Sequence, residues 1–233
     1  MSLVKRKELK DMDLNKSRDF FNPNKVKVPC HIIGCGSIGS NVAELLARQG
    51  VEDFILWDMD IVEPHNIVNQ LYTEKHIGMK KTKALTEILY EINPTIKNKI
   101  VLQEAYTDEI LEGYVFMCID NVEVRQDIIK KNYDNFAIEA VFDFRTTLLE
   151  GQHYAAEWSN SKYKKSLLNS LDFTHEEAQK NTPVSACGFE LSVAPVVKGT
   201  AILGIVNFMN YINEQKLAHV IVYEPFSYAI LKM

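Results

Sequence analysis

Gly34-Cys35-Gly36-Ser37-Ile38-Gly39 is the stretch from which the fold can be read outward. An apolar, β-branched run over residues 26–33 leads into it. Residues 37–49 leave it with Ile38, Val42, Leu45 and Leu46 at helical spacing, and Gly50 closes that helix. Glycines between a strand and a helix permit a tight turn and bring backbone close to phosphates at the helix N-terminus. A second short strand, residues 54–57, ends in Asp58, roughly 20 residues beyond the loop, where an acid grips ribose hydroxyls. A nucleotide site is therefore expected. A purely structural glycine turn is the plainer alternative.

The same alternation continues down the chain. Helical spacing is expected over 79–92, stopped by Asn93-Pro94, over 107–111, and over 121–132. Strands are expected over 99–103, 114–119 and 136–142. Short connections between alternating strands and helices imply a Rossmann-like α/β fold, with a mostly parallel sheet flanked by helices. After Phe144 the pattern changes. Residues 146–158 read as a strand pair broken at Glu150-Gly151, residues 159–183 as a long polar excursion, and residues 193–212 as a buried apolar helix. Strands at 219–223 and 228–231 complete an antiparallel C-terminal extension. The chain divides into an N-terminal arm (1–24), a nucleotide-binding half (25–145) and a C-terminal half (146–233) within one compact domain.

Composition excludes several classes. With 233 residues, 46% hydrophobic and 24% charged, the chain can build a core without disulfides or metals. A net charge of -5 offers no global attraction to nucleic acid or anionic membrane, and the lysines at 162–165 read as a solvated face. Cys30, Cys35, Cys118 and Cys187 form no CxxC pair and have no partner His at zinc spacing, so no zinc site is expected. They read as reduced thiols in a cytoplasmic protein. No apolar run is long enough to span a membrane.

The residues after Asp58 narrow the reading. Asp58-Met59-Asp60-Ile61-Val62-Glu63-Pro64-His65-Asn66-Ile67-Val68-Asn69-Gln70 resembles a run found in adenylyltransferases of the ThiF/MoeB/ubiquitin-activating type. The resemblance continues at Ile77-Gly78-Met79-Lys80-Lys81, at Asn93-Pro94, and at Asp120-Asn121 with Arg125. These segments fall in the family's order across about half the chain.

The resemblance implies ATP and Mg²⁺ as cofactors and a carboxylate activated as an acyl-adenylate. It places the nucleotide on Gly34, Gly36, Ser37, Ile38 and Gly39, with Asp58 on ribose and Asp60 beside it. Lys81 contacts phosphate, Asp120 serves Mg²⁺ with Asn121 beside it, and Asn66 sets the phosphate-binding segment that carries Asn69 and Gln70. The implied acceptor is the C-terminus of a small ubiquitin-like or sulfur-carrier protein or a peptide. A homodimer is implied in which an arginine of the arm, matched by Arg18, reaches the partner's site.

One departure stands out. Asn69 occupies the place of the family's arginine, and an amide does not replace a guanidinium beside transferring phosphates. Arg18, Lys75, Arg125 and Arg145 are the candidate substitutes. Cys187, after the polar excursion, matches the position of a thioester-forming nucleophile, although a packed cysteine beside Ala186 and Gly188 fits as well. Residues 143–152 are candidates for the acceptor site, with Arg145 either holding a carboxylate or sitting in an ion pair. An NAD-dependent oxidoreductase and a non-catalytic nucleotide-binding module are the competing functions.

Overall fold

The computed structural model describes residues 12–96, 100–180, 183–185, 188 and 191–233. Eight strands form one sheet in the order β3-β2-β1-β4-β5-β6-β7-β8. Strands β1 (Cys30–Ile33), β2 (Phe54–Trp57), β3 (Ile100–Gln103), β4 (Gly113–Met117) and β5 (Ile138–Thr146) run parallel. Strands β6 (Gly151–Glu157), β7 (Val220–Glu224) and β8 (Ala229–Lys232) are antiparallel. The strand order reverses at β1 and β4. In parallel sheets a crevice opens at such a point, beyond the carboxyl ends of the strands.

The helices divide between the two faces. α1 (Ser37–Arg48), α2 (Lys81–Ile92) and α6 (Ala194–Ile212) cover a core containing Ile32, Leu46, Leu56, Leu85, Phe116, Phe142 and Phe208. α3 (Val122–Lys131) and α4 (Ser161–Asn169) cover the other, built on Ile33, Val115, Val141, Ile128 and Leu167. Strands buried on both faces are apolar at every position, which is why 54–57 and 113–117 read so clearly in sequence. Among the described residues no helix is long and apolar enough to cross a membrane.

Several expectations need correction. The first strand begins at Cys30, because Pro29 has no N–H to give the ladder and instead accepts from Tyr114 N at 2.9 Å through its carbonyl. Residues 107–111 are not helical. Glu109 Oε2 accepts from the backbone of Thr107 and Asp108 at 3.0 and 3.1 Å, satisfying the backbone locally instead. The polar excursion contains α4 and a short α5 (His175–Lys180). Lys164 does not belong to a solvated face: it is 7% exposed, donates to the Tyr133 carbonyl at 2.6 Å, and lies over the Tyr133 and Trp158 rings.

Candidate active site

The loop after β1 has the geometry its glycines suggest. Gly34 sits at φ +90°, a backbone region open chiefly to glycine. A Cβ on Gly39 would lie 1.8 Å from the Gly34 carbonyl oxygen, so α1 packs directly on the loop. A Cβ on Gly36 would meet nothing within 4 Å, which leaves that stretch of backbone open to a ligand.

Asp58, at the end of β2, holds the loop from the side. Its Oδ2 accepts from Cys35 N at 2.7 Å and its Oδ1 from Asp60 N at 2.8 Å. Burial pushes the Asp58 carboxyl above its usual range, opposed by the Lys81 charge and these two N–H groups. Lys81, in the first turn of α2, is 8% exposed and reaches Asp60 Oδ2 at 2.7 Å. Lys80 points the other way, pairing with Glu104 on the surface. Of the two adjacent lysines, only Lys81 enters the cleft.

These residues border a cavity of about 330 Å³ together with Gly34, Trp57, Tyr106, Ile119, Asp120 and Asn121. Trp57 and Tyr106 meet edge to face, 5.7 Å between centroids, and give the cavity an aromatic end that sequence reading missed. Its one signal was a tryptophan immediately before Asp58. Asp120 is exposed, while Asn121 caps α3, its Oδ1 accepting from Val124 N at 2.9 Å.

A second cavity of about 410 Å³ lies on the other side of residues 118–120. Ser37, Ile38 and Asp120 open onto it, as do Arg145, Thr146, Glu150, Gln152, Tyr154, Ser170 and His175. Cys118, Ile119 and Asp120 line both cavities. Cys118 was expected inside a strand. It lies just past β4, half-buried, with its thiol pushed up by burial and so held protonated. Of the residues that line this second cavity, Arg145, Thr146, Glu150 and Gln152 fall within the expected stretch 143–152, whereas Tyr154, Ser170 and His175 were not anticipated, since long-range packing brings them in.

Other expected residues lie outside these linings. Asn66 is buried and its Oδ1 accepts from Glu63 N at 2.9 Å, bracing the turn Pro64–Val68. The Asn69 carbonyl faces Asn41 Nδ2 at 3.4 Å, and Asn41 also donates to the Ser37 carbonyl at 2.7 Å, so the segment docks on the start of α1. Gln70 Oε1 is buried with no partner. None of the three borders either cavity.

The candidate substitute cations are mostly committed. Lys75 pairs with Glu91 at 2.9 Å on the surface. Arg125 and Arg145 both bind Asp143, which gives Arg145 the ion-pair role. Arg18 borders a different cavity with Gly50, Asp53 and Asn93, at the amino ends of the strands. Cys187 lies outside the described residues. Among the described residues no three His, Cys, Asp or Glu side chains converge as a metal site.

A Rossmann-like sheet, a glycine loop and an acid after β2 define a nucleotide-binding α/β domain. Residues 25–225 match the ThiF family, and the chain belongs to that family. It is 32% identical over 118 residues to ubiquitin-like modifier-activating enzyme 5 of Arabidopsis thaliana, covering 42% of this chain and 27% of that protein. It is also 32% identical over 120 residues to the molybdopterin-synthase adenylyltransferase of Haemophilus influenzae, covering 48% and 49%. The chain therefore spans about half or less of the length of these curated relatives. The structure of E. coli MccB with MccA-N7isoASN shares the fold at a TM-score of 0.68 and 17% identity, covering 91% of this chain and 66% of that one. MccB with ATP aligns at 0.63 and 19% identity, covering 91% and 65%.

Proposed function

We propose that this chain is an ATP-dependent adenylyltransferase that converts the C-terminal carboxylate of a small ubiquitin-like or sulfur-carrier protein, or of a peptide, into an acyl-adenylate. The observation that carries the reading is the wall shared by the two cavities at Cys118, Ile119 and Asp120. A nucleotide on one side and a carboxylate tail on the other would meet there, and holding the reactants together supplies much of the rate. The relatives' names, a modifier-activating enzyme and an adenylyltransferase, support the same chemistry.

In this reading a carboxylate oxygen attacks the α-phosphorus of ATP. The bond from that phosphorus to the bridging oxygen breaks, and pyrophosphate leaves with the electron pair. The carboxylate is already ionised near neutral pH, so no general base is required. Asp58 accepts hydrogen bonds from the ribose hydroxyls with the lone pairs its two N–H partners leave free. Lys81 turns from Asp60 toward the phosphates, and the open backbone at Gly36 faces them. Mg²⁺ held by Asp120 and phosphate oxygens would offset triphosphate charge, an arrangement common where one carboxylate serves this ion.

Asn69 favours a second reading, a nucleotide-binding scaffold without catalysis. Arg18 could supply the missing cation only from a second copy, since its own chain holds it at the far end of the strands. A homodimer is part of the proposal, supported by Ile202 and Val206, which leave an apolar stripe of α6 exposed. Pyrophosphate exchange into ATP, with candidate carrier proteins and peptides, separates the two readings. Exchange with any of them supports the enzyme; ATP binding without exchange across the panel supports the scaffold. Micromolar NAD binding without ATP binding defeats both, and light scattering tests the dimer.

A further inference from the structure

Asp143 has a fully buried carboxylate in β5, and the proposed reaction does not use it. Its Oδ1 accepts from Arg125 Nη1. Its Oδ2 accepts from Arg145 Nε at 2.7 Å, with Arg145 Nη2 2.6 Å away. Two guanidinium groups around one carboxylate leave an excess positive charge in a largely apolar wall. Such a cluster is costly unless its remaining donors are used.

They are used, and where they end is informative. Arg125 Nη2 donates to the carbonyl of Ile119 and, at 2.8 Å, to that of Phe144. Ile119 immediately precedes Asp120 and borders both cavities. Arg145 Nη1 donates to the Ser170 carbonyl and Nη2 to the Ser170 hydroxyl, each at 2.8 Å, while its plane lies 4.2 Å above the Tyr154 ring centre. Ser170 comes directly after α4, where the outer wall of the second cavity begins. That wall is also tied to α3, the helix that starts beside Asp120: Gln126 Nε2 donates to the Leu171 carbonyl at 2.7 Å, and Glu123 Oε1 accepts from His175 N at 3.1 Å.

A cluster serving stability alone could end anywhere in the core, and well-packed apolar side chains often replace such clusters with no loss of stability. This one ends on the two substrate walls. We infer that Asp143 is a positioning residue coupling the nucleotide and acceptor cavities. Through Arg125 it sets the turn that presents Asp120, and through Arg145 it sets residues 170–179 over the acceptor. Coupling of this kind is reciprocal, so an ordered nucleotide side stiffens the acceptor wall and the reverse. The inference rests on the nucleotide reading proposed above.

Hydrogen–deuterium exchange of the full chain with and without ATP·Mg²⁺ tests it. ATP should slow exchange at residues 34–39, which it would touch, and several-fold at residues 170–179, which lie outside the nucleotide cavity. Asp143→Asn risks unfolding by stranding two buried cations, so the deciding variants are milder. Arg145→Lys keeps the charge but cannot span Asp143 and both Ser170 acceptors. It should retain slowing at 34–39 and lose it at 170–179, and Ser170→Ala should fall between. A wild-type wall indifferent to bound ATP overturns the coupling, as does a wall response that survives in Arg145→Lys. If ATP protects neither segment, the nucleotide reading itself fails and takes the coupling with it.

Discussion

The Tyr72 hydroxyl donates to the Cys35 carbonyl at 2.6 Å, closing the glycine loop from beneath. The Lys81 carbonyl lies 3.2 Å from the same oxygen, so one buried phenol gathers the loop, the segment after Asn69 and the start of α2. Tyr72→Phe should cost about 1–3 kcal/mol, the range for stranding a buried hydrogen-bond partner. It should also weaken ATP binding, since Lys81 and the loop lose their common support. An unchanged urea midpoint and an unchanged ATP dissociation constant would assign the hydroxyl no such role.

Asp58 and Lys81 should matter for affinity in different ways. Asp58→Ala removes the acceptors for ribose and for Cys35 N, and should weaken ATP by about 1–3 kcal/mol. Lys81→Met should raise the dissociation constant for ATP more than that for adenosine. Calorimetry with both ligands checks the pair, and equal losses for adenosine and ATP would remove Lys81 from the phosphates.

Removal of the metal gives a third check. EDTA should weaken ATP binding to the wild type at least several-fold, because Mg²⁺ shields the triphosphate from nearby carboxylates. Asp120→Asn should bind ATP with much less dependence on Mg²⁺. A variant that keeps the full Mg²⁺ effect would place the ion elsewhere.

Asn69→Arg should tighten ATP by roughly tenfold, about 1.4 kcal/mol, by restoring a guanidinium at the start of α1. The Asn69 carbonyl already faces Asn41 there. Looser binding would mean that another cation occupies the place and the arginine crowds it.

Stability should fall in acid for a specific reason. Burial lowers His31 and His153 from 6.5 to about 4. The folded state therefore binds these protons more weakly than the unfolded chain does. Their contribution is complete above about pH 6.5 and drains away as pH drops toward 4, by up to roughly 3 kcal/mol for each histidine. His153 donates from Nδ1 to the Asp143 carbonyl at 3.1 Å and accepts at Nε2 from Asn207, 3.1 Å away. This neutral form is fixed because Asn207 Oδ1 already accepts from Ala218 N at 2.9 Å. Denaturation midpoints at pH 7.5 and 4.5 should differ less in His153→Gln than in the wild type.

Much of this architecture was legible in the sequence, and the reasons are local. Residues 30–57 read well because strand, glycine loop, helix and acid signal through nearest neighbours. Lys81 could be read as a phosphate-side residue from the resemblance, though only the fold separates Lys81 from Lys80. The wall at 170–179 was illegible because its support is distant: Leu171 and Phe173 are held by Gln126, some 45 residues away in sequence. Arg145 could be read two ways until the fold showed Asp143 and Ser170 on either side of it. Residues 107–111 misled because the Glu109 carboxylate takes the backbone N–H groups of Thr107 and Asp108.

The hairpin between β5 and β6 places Arg145 opposite Gln152 and Asp143 opposite Tyr154. All four side chains share one face only because the strands reverse over residues 147–150. Adding a single residue on one side and slipping that strand's register would send its cavity-facing side chains through to the α6 face, bringing Phe144 or His153 in their place. The cavity lined by Arg145, Gln152 and Tyr154 can thus be retuned by exchanging side chains but not by changing the hairpin's length. Variants of this chain with a reshaped cavity should therefore differ by substitution here, with insertions and deletions confined to the outer wall.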